Sequence, residues 1–118
     1  MEITSGGTPG PRLAGHLWEM DNNLYGRLPE RSNARSTAEV FVRAGWRAVA
    51  TSWTECRIEH EWAEFDLLQP AAGGLLLSGV VEPSRLDDLG AVLAGLGWRF
   101  ELELWSDDGP TLLREIAG

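Results

Sequence analysis

The chain has 118 residues, 43% of them hydrophobic and 24% charged, with a formal net charge of -8 and a pI near 4.6. That length suits one domain able to bury a core without disulfides or metals, and the composition excludes wholesale disorder. The acidity repels phosphate backbones, so nucleic acid is not the expected partner and a basic protein is.

Cys56 is the only cysteine, which rules out an internal disulfide framework and points to a reducing, cytoplasmic setting. All ten basic residues are arginine, a bias from which no function follows. The most apolar window, Leu67 to Val81, is interrupted by Gln69, Pro70, Gly73, Gly74 and Ser78. It falls short of the roughly 20 residues a membrane helix needs, so no membrane role is expected.

In chain order, residues 1–12 are rich in Gly, Pro, Thr and Ser and read as a flexible lead-in to a single domain over residues 13–118. Leu13 to Met20 is apolar enough for a first strand. Asp21 to Arg35, with Asn22, Asn23, Gly26, Pro29, Ser32 and Asn33, reads as a long loop of turn formers. Ser36 and Glu39 form a capping-box pattern for a helix running to about Ala44. Gly45 is its expected left-handed stop, and a strand follows from Trp46 to Trp53.

A charged alternating strand is expected from about Cys56 to Leu68, a turn at Pro70 to Gly74, and an apolar strand from Leu75 to Glu82 that closes a hairpin. Ser84 and Asp87 open a second helix whose Leu86, Leu89, Val92, Leu93 and Leu96 recur at helical spacing, ending at Gly97. Trp98 to Trp105 alternates, with Trp98, Phe100, Leu102 and Leu104 on one face and Arg99, Glu101, Glu103 and Trp105 on the other. Ser106 to Pro110 is a turn signal, and Thr111 to Ile116 reads as a last strand.

Ser36 to Trp53 aligns with Asp88 to Trp105 at an offset of 52, with five identities in eighteen positions: Val40/Val92, Gly45/Gly97, Trp46/Trp98, Arg47/Arg99 and Trp53/Trp105. The pattern predicts pseudo-duplicated β-α-β-β halves, about 13–68 and 75–116, in which each glycine stops a helix and the next indole covers the corner. The fold expected is α+β, a mostly antiparallel sheet with two helices on one face, as a ferredoxin-like variant. The doubled layout and length are also similar to the vicinal-oxygen-chelate group, whose bleomycin-resistance members are small and acidic. The fifteen-residue loop after the first strand and the smaller number of strands depart from that group, and the family is not assigned.

No catalytic or cofactor motif emerges. Cys56 and His60 lie four apart on a strand without a recognised zinc spacing and read as a thiol and an imidazole packed on a half-buried face. Glu55, Arg57, Glu59 and Glu61 alternate as a solvated strand face would. Gly6 to Gly10 lacks the Gly-Lys-Ser/Thr ending of a phosphate loop, and Leu77-Ser78-Gly79 lacks the first glycine of a nucleophile elbow.

The informative excess is six tryptophans. If Trp98 packs beneath the helices, the opposite face gathers Trp53 and Trp105 with Arg47, Arg99, Glu101 and Glu103, a mixture typical of interface hot spots. The sequence therefore predicts a non-catalytic acidic module, of immunity or inhibitor type, that binds a protein partner through these six residues. The alternatives are a self-associating face and a small-molecule sequestering protein or minor enzyme with a tryptophan-lined cleft.

Overall fold

The computed structural model describes residues 2–106 and 110–118. Among them are two helices, α1 (Ala34–Arg43) and α2 (Leu86–Gly95), and seven strands. The strands are β1 (Leu24–Leu28), β2 (Arg47–Ala50), β3 (Glu55–His60), β4 (Ala63–Leu68), β5 (Leu75–Val81), β6 (Glu101–Trp105) and β7 (Leu112–Ala117). They form one sheet in the order β2-β3-β4-β5-β1-β6-β7, antiparallel at every step. The expected α+β class holds. No helix among the described residues is long and apolar enough to cross a membrane.

Antiparallel pairing throughout makes β1 parallel to β2 and β5 parallel to β6, so each helix is a crossover between parallel strands. The two crossovers start on adjacent antiparallel strands and travel to opposite sides. With the same hand, they bring both helices to the same face. Phe41 of α1 and Leu89 and Leu93 of α2 join Leu24, Ile58, Phe65, Leu77 and Leu102 of the sheet in one buried cluster.

The Gly-Trp-Arg corners fold alike. Trp46 N–H donates to the Phe41 carbonyl and Gly45 N–H to Val42; Trp98 N–H donates to Leu93 and Gly97 N–H to Ala94. Each pair is a Schellman stop, with φ at +98° in Gly45 and +79° in Gly97. Beyond the corner the copies diverge, because β2 is an outer strand and β6 lies one in from the opposite edge.

Several expectations are corrected. The stretch Leu13 to Met20 is not a strand: it contains one 3-10 turn (Gly15–Leu17), and Leu13, Leu17 and Met20 pack on Val80. The first strand lies inside the segment expected to be a loop. Asn23 is buried, its Nδ2 donating to the Val81 carbonyl and its Oδ1 accepting from Val81 N–H, both at 2.9 Å. The carboxamide thus acts as an extra peptide unit that ties the start of β1 to β5. Gly26 fits the centre of the sheet because a Cβ there would stand 2.6 Å from the Glu101 carbonyl oxygen.

The cap of α1 is Asn33, whose Oδ1 accepts from Ser36 N–H at 2.8 Å, so the helix starts three residues before the Ser36/Glu39 pattern. The single strand expected over 56–68 is a hairpin, β3 and β4, turning at Glu61-Trp62. The hairpin across residues 69–74 is β4–β5, and the last strand is β7. The expected Ser106 to Pro110 turn falls largely on residues 107–109, outside the described residues.

The expected lead-in packs on the fold. Ile3 is buried, Thr8 N–H donates to the Ala48 carbonyl, Ala48 N–H to Thr8 Oγ1, and Ala50 N–H to the Thr4 carbonyl. Residues 4–8 therefore cover the outer edge of β2, whose ladder groups would otherwise be open to another chain.

Candidate functional site

The helices cover one face of the sheet and leave the other to be read as cross-strand rows. One row runs Val49, Arg57, Asp66, Ser78, Tyr25, Glu103, Glu115, and the next runs Glu55, Leu68, Leu76, Arg27, Glu101, Ala117. A third begins Arg47, Glu59, Glu64, Val80, and there the N-terminal segment crosses the sheet through Leu13 and Leu17. The uncovered part is acidic with apolar residues set into it. Tyr25, Leu68, Leu76, Glu101, Glu103 and Arg27 surround a hollow of about 450 Å³ over β5, β1 and β6.

Where the segment crosses, Glu59 is 4% exposed and accepts three hydrogen bonds: Leu13 N–H at 2.8 Å, Arg12 Nε at 3.2 Å and Arg47 Nη1 at 2.8 Å. Burial raises its affinity for a proton, but these donors outweigh burial and hold the carboxyl below the usual range. Glu64, paired with Glu59 across the strands, is shifted up by burial and by the Glu59 charge. The expected solvated ladder is thus corrected at Glu59, which the N-terminal segment seals.

The six predicted site residues fall into separate places. Trp53 is 92% exposed in the bend between β2 and β3. Trp105 is half-buried at the end of β6, its indole N–H donating to Glu103 Oε1 at 3.2 Å. Glu101 and Glu103 share the uncovered face, while Arg99 precedes β6 and lines another hollow beside Glu30 and Gly118. The Arg47 guanidinium is taken up by Glu59 and the Gly6 carbonyl. Five strand steps of about 4.8 Å separate β2 from β6, so Trp53 and Trp105 do not share one cleft.

Sequence reasoning missed Tyr25, Arg27, Leu68 and Leu76. The first two lie in the stretch read as a loop. Leu76 sat in an apolar run with no period to expose an outward face, and Leu68 closed the alternating strand in step with Glu64 and Asp66 but, as an apolar residue, gave no sign of an outward role.

The remaining tryptophans are structural or peripheral. Trp46 and Trp62 are buried against each other at 5.2 Å between ring centroids, Trp98 meets Phe41 at 5.6 Å, and Trp18 is exposed beside Leu13. Cys56 and His60 share the helix-side face of β3. Burial raises the Cys56 thiol pKa and lowers that of His60, whose ring packs on Trp46. Among the described residues, no three His, Cys, Asp or Glu side chains are grouped to hold a metal ion.

No protein-family model, no curated protein and no solved structure matches this chain.

Proposed function

We propose that this protein is a non-catalytic acidic interaction module that captures a basic protein partner on the uncovered sheet face. One observation carries the reading: a sheet face without helices on which apolar side chains, Tyr25, Leu68 and Leu76, stand among Glu101, Glu103 and Glu115, while Asp66 is paired with Arg57 at 3.0 Å. Carboxylates steer a positively charged partner and the apolar residues supply contact area. The extent of the uncovered face over β5, β1, β6 and β7 suits a macromolecule, since an interface of roughly 800 Å² per partner spans several strands and a small ligand does not. An immunity- or inhibitor-type role is the biological form of this reading, and the unpaired, buried Cys56 supports a cytoplasmic setting.

The test is calorimetric titration with an octapeptide of alternating leucine and arginine, and with its glutamate counterpart. Binding of the arginine peptide that weakens steeply with salt, and survives Glu39→Gln with Asp88→Asn on the helical side, supports the reading. Equal binding of both peptides, or binding lost on removing those helix-side charges, counts against it.

A second reading, capture of a small molecule, is favoured by the hollow itself, whose volume lies within the roughly 300–1,000 Å³ of ligand sites. The ferredoxin-like, duplicated ancestry draws support from the matched Schellman corners and from β5-α2-β6, a split β-α-β unit with β1 between its strands.

A further inference from the structure

Resting on the basic-partner reading, we infer that the hollow over β5, β1 and β6 receives a single arginine side chain of that partner. Glu101 and Glu103 sit at alternate positions of β6, about 6.6 Å apart along the strand, so both carboxylates rise on the same side. A guanidinium between them has donors enough for each. Tyr25 stands directly across from Glu103 and, at 41% exposed, presents a ring for the cation to stack on. Leu76 and Leu68 extend the wall on the β5 side, where the three methylenes of an arginine stem would lie.

Charge decides the sign of the occupant. Two carboxylates face one guanidinium, Arg27, and Arg27 lies opposite Glu101 in the ladder. Among the described residues Arg27 and Glu101 make no ion pair or side-chain hydrogen bond, and Glu103 accepts one, from the Trp105 indole N–H at 3.2 Å on Oε1, which leaves its other oxygen to the guanidinium. An anion drawn to Arg27 would meet Glu101 directly across the strand, whereas a cation at the Tyr25 end meets Glu103 and Glu101 and stands one side-chain pair away from Arg27. Arg27 occupies the other end of the hollow, so the site takes one arginine side chain, at the Tyr25 end. Lysine, a point charge without the planar fork, would bridge the two glutamates less well.

The experiment uses the full chain and a peptide carrying one arginine flanked by leucines, together with versions bearing citrulline or lysine in its place. The arginine peptide is expected to bind about tenfold more tightly than the neutral citrulline peptide. In the Glu101→Gln/Glu103→Gln variant that preference should fall to about twofold or less, while Glu39→Gln/Asp88→Asn keeps it. Leu76→Ser, at an exposed position, should weaken the arginine and citrulline peptides alike. Equal binding of arginine and citrulline by the parent protein overturns the inference, as does a full arginine preference in the glutamine variant. In the latter case salt-sensitive capture survives, so the partner reading stands while the pocket assignment fails. Blocked arginine amide binding as tightly as the peptide also overturns it, because the occupant is then a small molecule.

Discussion

Arg47 and Glu59 face each other across β2 and β3, joined at 2.8 Å with only 14% and 5% of their side chains exposed. The same carboxylate accepts Leu13 N–H, so one side chain ties the sheet edge to the N-terminal segment that crosses the sheet. Glu59→Ala leaves the buried Arg47 guanidinium without its counter-ion, holding only the Gly6 carbonyl, and leaves the buried Leu13 N–H without its acceptor. The expected loss is about 3 kcal/mol, read by urea unfolding at neutral pH.

The pH dependence follows from two opposed shifts. The Glu59 carboxyl is held below the ordinary value of about 4.3, so its stabilisation is present above that value and lost as pH falls through the lower folded pKa. Glu64 is shifted up, so its ionisation costs stability as pH rises from about 4.3 through its raised pKa. Glu64→Gln should therefore gain stability at pH 7 and show no gain in acid, where the parent carboxyl is already neutral. Unfolding free energies measured across that range check both signs.

Asn23→Ala removes both partners of the Val81 backbone at a buried position, and a cost of about 2 kcal/mol is expected. Amide exchange at Val81 should accelerate in the variant more than exchange at the β3–β4 hairpin.

Two glycines separate space from backbone angle. A Cβ at Gly79 would stand 2.1 Å from the Glu64 carbonyl oxygen and 2.5 Å from Phe65 Cα, so Gly79→Ala should cost about 3 kcal/mol or more. At Gly97 nothing lies within 4 Å and only φ of +79° resists substitution, so Gly97→Ala should cost about 1–2 kcal/mol. Thermal unfolding of the two variants gives the order.

Trp53, at 92% exposed, and Trp46, at 3%, aligned with Trp105 and Trp98 in the repeat, should behave oppositely. Trp53→Ala should change stability by no more than about 0.5 kcal/mol and remove a large share of the fluorescence quenched by acrylamide. Trp46→Ala should cost about 3–5 kcal/mol.

Local signals that one or two residues decide were legible in the sequence. Gly45 and Gly97 ended both helices, Phe100, Leu102 and Leu104 alternated into the core, and Pro70 to Gly74 marked the β4–β5 connection. What escaped depended on distant partners. Asn23 resembles a turn residue until Val81 is set beside it, and Gly26 until β6 closes against it. Glu59 looks solvated until the chain returns from Leu13. Glu101 and Glu103 were recognised on their face of β6, but Tyr25, Leu68 and Leu76 joined them only through the strand order, which no pattern in this chain encodes locally.

The most direct measurement is an NMR chemical-shift map of the leucine–arginine octapeptide on the isotope-labelled protein. Perturbations centred on Tyr25, Arg27, Leu76, Ser78, Glu101 and Glu103, and suppressed by salt, are the predicted result. Perturbations centred on α1 and α2, or absent from the uncovered face, would contradict the account.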